Sequence, residues 1–142
     1  NLVNQFSINM TDKSKKILAD ISAGELLDKI SILEIKLEKV TDKNNLNQIK
    51  KEHSMLKETQ NESIDFNDEI QKLFNSLKKI NLILWNTEDK IRICEKNKDF
   101  GKNFINLARE VYVNNDERAK IKSQINKISG SNITEIKQYV DY

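Results

Sequence analysis

The sequence contains no proline, three glycines and one cysteine among its 142 residues. Because proline and glycine are the residues that most often interrupt helices, their scarcity leaves few positions where a helix must end. With 37% apolar and 32% charged residues, the composition is typical of a helical protein rather than a β-sandwich or a disordered chain. A single cysteine excludes an intramolecular disulfide bond, and the length suits one domain with its own hydrophobic core.

Long apolar runs and a large excess of one charge are absent too. The longest apolar run, residues 82–85, is far shorter than the roughly 20 residues that cross a membrane. The net charge of +2 is too small to indicate a nucleic-acid-binding protein, and the first residues lack the pattern of a signal peptide. We therefore expect a cytoplasmic protein that binds neither membranes nor nucleic acid and holds no metal or other cofactor.

Apolar residues recur every three or four positions in four segments, which predicts an all-α bundle of four main helices. Ser22 is expected to cap the first helix, with Glu25 completing a capping box, and Gly24 to permit close approach of another backbone. Gly130 fits the left-handed position that ends a helix. The expected helices span about 22–40, 45–59, 67–96 and 102–128.

The two ends of the chain have weaker patterns. Residues 1–16 have no periodicity and are expected to form a flexible arm, which leaves residues 17–142 as a single helical domain. Lys16–Ile21 could form a short strand, and Ile133–Tyr142 is amphipathic as either a helix or a strand.

The third segment contains the only tryptophan and the only cysteine, and it has two faces. One face is an apolar seam for a partner helix. The neighbouring stripe is polar apart from its tryptophan, and it consists of Asn81, Trp85, Glu88, Arg92 and Glu95. A charged stripe beside a core seam is either a solvated flank or the lining of a pocket.

The break at residues 97–102 predicts that the third and fourth helices form a long antiparallel hairpin. Positions whose numbers sum to about 200 then lie opposite each other, so that Trp85 faces Asn115 and Asp89 lies near Arg109 or Val111. The resulting polar cluster gives the candidate ligand-binding residues, which are Asn81, Trp85, Glu88, Asp89, Arg92, Arg109, Tyr112, Asn115, Asp116 and Arg118.

All three arginines of the chain lie within residues 85–118, although lysine is far more abundant. Arginine provides a planar, bidentate donor that lysine cannot replace. The cluster is therefore either a satisfied salt-bridge network that fixes the helix register or a pocket whose arginines bind a phosphate or carboxylate while an aromatic ring stacks on the ligand. The sequence leaves both interpretations open.

Four blocks of the sequence resemble a family of short bacterial and phage proteins of unknown function. The blocks are S-x-G-E-L-x-D-K-x-x-I-L-E-I-K at 22–36, N-x-x-L-W-x-x-E-D-x-I-R at 81–92, A-R-x-x-Y-x-x-N-D-x-R-A at 108–119 and G-S-x-I-x-E-x-K-x-Y at 130–139. The resemblance covers residues 17–142. It implies no established activity, and a role in surface-polysaccharide biosynthesis is implied by neighbouring genes in that family.

The hypothesis we favour is a non-catalytic binding or adaptor module. Its rival is an enzyme acting on a phosphorylated or nucleotide-sugar substrate. One form of the rival is a magnesium-dependent nucleotide pyrophosphohydrolase that uses Glu25-x-x-Asp28, Glu34 and Glu38, with Glu88, Asp89 and Glu95 as carboxylates of a second helix. The expected partners are an anionic small molecule and a second copy of the chain, because the third helix is longer than a small bundle can cover.

Overall fold

The computed structural model describes residues 15–142, so the expected arm at residues 1–16 lies almost wholly outside the described part. Within that part the chain forms four helices and no strand, which confirms the predicted all-α fold. The helices are α1 (Ala23–Lys39), α2 (Lys43–Ser63), α3 (Asp68–Lys96) and α4 (Lys102–Ser129). α3 and α4 pack along each other as the predicted hairpin.

Short polar side chains begin three of the four helices. Ser22, Asp42 and Asn67 each accept a hydrogen bond from the backbone N–H three residues later, at 3.1, 2.8 and 2.9 Å. These bonds satisfy donors that the first turn of a helix leaves unpaired. At the other end of the chain, Gly130 ends α4 with φ 66°, in the left-handed region that was expected for it.

α1 is the centre of the bundle, because it packs against each of the other three helices. Leu27, Ile30 and Ile35 of α1 are all at most 1% exposed, with the hairpin on one side and α2 on the other. This explains why apolar residues occupy more than one face of so short a helix.

Gly24 lies where the first turn of α1 meets α4. A Cβ atom at this position would lie 2.6 Å from the backbone oxygen of Lys122, so only glycine fits. The N–H of Gly24 donates to Oδ1 of Asn126 at 2.7 Å. The expected close approach is confirmed, and its partner is the last part of α4.

α2 packs on α1, and its only buried residue is Gln60. It begins two residues earlier and ends four residues later than predicted, at Lys43 and Ser63. A cover helix with so few apolar residues carries little periodicity to mark its ends, and boundaries are then set by the caps.

Two predictions at the ends of the chain are wrong. Lys16–Ile21 is not a strand, and Ile17 and Leu18 are 90% and 89% exposed. A strand needs a neighbouring strand to satisfy its backbone, and the described residues provide none. Ile133–Tyr142 forms neither helix nor strand, and Ile136 is 86% exposed because no surface of the bundle lies against it.

None of the helices in residues 15–142 combines the length and the apolar character needed to cross a membrane.

Candidate functional site

A groove of about 470 Å³ lies between α1 and the α3–α4 hairpin, and we call it the α1–hairpin groove. Ile32 and Ile35 of α1 and Leu84 of α3 give it an apolar floor. Seven of the ten candidate residues line it, namely Asn81, Trp85, Glu88, Asp89, Arg92, Asn115 and Arg118. The hairpin brings them together because its register is close to the predicted one.

Two contacts between the hairpin helices define this register. Thr87 Oγ1 donates to the Glu110 carboxylate at 3.3 Å, and Asn103 Nδ2 donates to Cys94 Sγ at 3.6 Å. The positions in each contact sum to 197, so the register lies within one helical turn of the predicted one, and Trp85 and Asn115 line the same groove.

A buried network lies directly beneath the groove. The Asp28 side chain, on α1, is 1% exposed. Its Oδ1 accepts hydrogen bonds from Asn81 Nδ2 and Arg118 Nε, both at 2.9 Å, and its Oδ2 accepts from Nη2 of the same arginine. Asn81 Nδ2 also donates to Ser31 Oγ at 2.8 Å. The network therefore joins α1, α3 and α4 at a single point.

This network satisfies the buried charge that it contains. The hydrogen bond to Asp28 raises the pKa of Arg118, and burial only partly opposes that rise. No buried side-chain polar atom in residues 15–142 lacks a hydrogen-bond partner. A buried ion pair is tolerated only when its remaining donors and acceptors are also paired, and here they are.

The mouth of the groove is more exposed than its floor. Trp85 is half-buried, and Arg92 Nη1 donates to the Glu88 carboxylate at 2.5 Å and to its backbone oxygen at 3.2 Å. Asp89 is exposed and forms no ion pair with any described residue. The mouth thus combines an aromatic face with carboxylates one helical turn away.

Three candidate residues lie outside the groove. Arg109 is exposed on α4 and forms no ion pair within residues 15–142. Tyr112 and Asp116 contact the end of the chain: the Tyr112 and Tyr142 rings lie 5.3 Å apart, and Tyr142 Oη donates to Asp116 at 2.6 Å. These residues occupy a neighbouring face of α4, beside a second cavity of about 900 Å³ under the C-terminal residues.

The sequence interpretation missed Asp28 and Ser31 as parts of this site. Both signals were present: Asp28 lies one helical turn from apolar residues on α1, between Leu27 and Ile30 of its seam, and Ser31 follows one turn later. A buried carboxylate in such a helix requires a cationic partner, and one of the three arginines within residues 85–118 could have been proposed as that partner.

The carboxylates that suggested a magnesium site on α1 contact cations of the protein itself. Glu25 binds Lys122 at 2.8 Å, Asp28 binds Arg118, and Glu34 and Glu38 contact Lys78 at 3.4 and 3.2 Å. The contact with Lys122 also replaces the capping-box bond that we expected from Glu25. In residues 15–142 no three His, Cys, Asp or Glu side chains are grouped so that they could hold a metal ion.

No curated protein and no solved structure matches the chain. A family of unknown function, DUF6165, matches residues 17–141, which is nearly the whole of the described part. The chain therefore belongs to the DUF6165 family of unknown function.

Proposed function

We propose that the protein is a non-catalytic binding module and that the α1–hairpin groove is its ligand site. The observation that carries the proposal is the groove itself, in which a half-buried tryptophan, amides and charged groups surround an apolar floor. Small-molecule sites typically combine such an apolar lining with a few placed polar groups. Trp85 offers a large rigid surface on which a ring can stack.

The buried network supports this proposal because it fixes two of the groove residues before any ligand arrives. Arg118 and Asn81 are both oriented by Asp28, which is itself buried. Side chains that are already ordered lose less conformational entropy on binding, so their contacts contribute more to affinity.

Intrinsic fluorescence tests the proposal, because Trp85 is the only tryptophan of the chain. We expect a saturable change in its emission with at least one member of a panel of monosaccharides, disaccharides, sugar phosphates and nucleotide sugars. Asn115→Ala, within the groove, should weaken that response. Asn114→Ala is the matched control, because Asn114 donates to the Glu110 backbone and does not line the groove. No saturable response to any compound would refute the proposal.

The second candidate is an enzyme acting on a phosphorylated or nucleotide-sugar substrate. One observation favours it: Arg118 is held on one edge by Asp28, and among residues 15–142 its Nη1 forms a hydrogen bond only with Asn115, at 3.4 Å. An arginine oriented in this way can present its remaining donors to a phosphate. Incubation with nucleotide sugars, with and without Mg²⁺, followed by phosphorus NMR, should reveal a new phosphate species if this candidate is correct.

The same proposal includes a cytoplasmic location and an adaptor role in surface-polysaccharide biosynthesis. The sequence resemblance supports the adaptor role.

A homodimer is supported by the dimensions of the helices. The 29 residues of α3 extend about 44 Å, against about 26 Å for the 17 residues of α1, so part of the hairpin extends beyond α1. Light scattering is expected to give twice the chain mass, and the mass of one chain would contradict the dimer.

A further inference from the structure

The charges around the α1–hairpin groove indicate which class of ligand it takes. We infer that the groove binds a ring-bearing ligand with a positively charged amine, of the amino-sugar type, in preference to an anion. This inference rests on the proposed function, because it concerns the ligand of the same groove.

Both arginines of the groove already have a carboxylate partner. Arg118 gives Nε and Nη2 to Asp28, and Arg92 gives Nη1 to Glu88. An anion that took Arg118 away from Asp28 would leave a carboxylate that is 1% exposed without its cation. Leaving a buried charge unpaired is strongly unfavourable, so an anion could contact only the remaining Nη1 donor of Arg118, whose positive charge is already balanced by Asp28.

Counting the charged side chains gives an excess of negative charge. The groove is lined by two arginines, Arg92 and Arg118, and by two carboxylates, Glu88 and Asp89. Asp28 beneath the floor is a third carboxylate, so three negative charges face two positive ones. The group left over is Asp89, which forms no ion pair with a described residue. A cation would compensate this charge, and an anion would add to it.

The positions of the side chains on α3 favour an amine near the tryptophan. Glu88 and Asp89 follow Trp85 by three and four residues, so all three lie on one face of the helix. A cation over an indole ring is attracted by the ring electrons, and a carboxylate one turn away adds an ion pair. The apolar floor of Ile32 and Ile35 can contact the less polar face of a sugar ring.

Three probes that share one ring test the inference: glucosamine, glucose and glucose 6-phosphate, which are positive, neutral and negative at about pH 6. Trp85 emission is titrated with each at the same ionic strength. We expect glucosamine to bind about two- to fivefold more tightly than glucose, the range expected for exposed cation–π and ion-pair contacts, and glucose 6-phosphate to bind most weakly. Added salt should reduce the advantage of glucosamine.

Asp89→Asn should weaken the binding of glucosamine more than that of glucose, and so remove most of the difference in affinity between the two sugars. Glu58→Gln is the matched control, since Glu58 is an exposed carboxylate of α2 that does not line the groove. Equal or tighter binding of glucose 6-phosphate would overturn the inference and leave the groove as a ligand site. An absence of response to all three sugars would also overturn it. If the wider panel also gave no response, the proposed function itself would fail.

Discussion

Two arginine–carboxylate pairs lie at the α1–hairpin groove, and they have the same chemistry but differ in burial and in sequence separation. Arg118 pairs with Asp28, whose side chain is 1% exposed, and the pair joins α4 to α1 across 90 positions of sequence. Arg92 pairs with Glu88 one turn away on α3, and these side chains are 70% and 45% exposed. The Arg118–Asp28 pair connects two helices, whereas the Arg92–Glu88 pair lies on the surface of a single helix. Burial and sequence separation, rather than the kind of residue, decide what each pair contributes.

Removing Arg118 should have the largest effect on stability. Arg118→Ala leaves Asp28 buried, and Asn81 is then its one remaining side-chain donor within the described part of the chain. We expect a loss of about 3–5 kcal/mol, which is the usual cost of removing one partner of a buried pair. Urea unfolding, followed by circular dichroism, measures it. Asp28→Asn should cost less, because Arg118 is 27% exposed and can regain contact with water. A loss below about 1 kcal/mol for Arg118→Ala would mean that the network is not structurally important.

Gly24→Ala should have the next largest effect, because it acts where the same two helices are closest. Alanine is the better helix former by about 1 kcal/mol, which alone would stabilise α1. The added Cβ would, however, lie 2.6 Å from the Lys122 backbone oxygen and 2.9 Å from Asn126 Oδ1. Backbone cannot move aside as a side chain can, so we expect a net loss of about 1–3 kcal/mol.

Gly101→Ala is the control for this substitution. Its Cβ would meet only the Asp99 side chain, at 3.4 Å, so the change should stay within about 1 kcal/mol. Equal melting temperatures for the two variants would show that α1 and α4 can separate at Gly24 without cost.

The fold was largely predictable because its information is local. Helical periodicity, the capping residue Ser22 and the break at residues 97–102 all act within a few positions of sequence. The hairpin register followed from the position of one turn, and it placed Trp85 and Asn115 at the same groove.

The partner of Arg118 was not predictable in the same way. Asp28 lies 90 positions away, and the contact depends on how α1 crosses the hairpin, which no local pattern specifies. The same limitation applies to Arg109, which helical spacing puts near Asp89 although the structure shows no ion pair between them. Spacing predicts which face of a helix a residue occupies, but exposure depends on which helices cover that face.

The ion pair between Lys122 and Glu135, in the C-terminal segment, is intermediate in exposure between the two arginine pairs, and its contribution to stability should depend on pH. Glu135 accepts a hydrogen bond from Lys122 Nζ at 3.0 Å, and this bond lowers the pKa of Glu135. Burial opposes the charge on Lys122, but its hydrogen bonds to Glu25 and Glu135 outweigh that effect and raise its pKa. Glu135 and Lys122 are therefore both charged, and their ion pair contributes fully to stability, between the ordinary pKa values of the two groups, 4.5 for Glu135 and 10.5 for Lys122.

The stability difference between the wild type and Glu135→Gln should follow this window. Because the pKa of Glu135 is lowered by folding, its contribution is present above pH 4.5 and is lost as the pH falls through the folded-state value. The Glu135 side chain is 44% exposed, so solvent screening keeps the difference below about 1 kcal/mol at neutral pH. Urea unfolding at a series of pH values measures it. A difference that persists unchanged at low pH would show that Glu135 acts through packing rather than through its charge.

The smallest loss of stability is expected for the removal of Arg92, which belongs to the more exposed of the two pairs. Glu88 precedes Arg92 by four residues, the more favourable orientation for a helix pair, and such pairs contribute about 0.3–0.5 kcal/mol. Arg92→Ala should therefore cost no more than this, and the loss should shrink further as salt screens the exposed charges. Arg109→Ala is the reference, because Arg109 is exposed on the same hairpin without an ion pair to any described residue. The difference between the two variants, measured by thermal unfolding at low and high salt, isolates the surface pair. If Arg92→Ala destabilised the protein as much as Arg118→Ala, the exposed pair would contribute as much to stability as the buried pair. Burial would then not explain the difference that we expect between the two pairs.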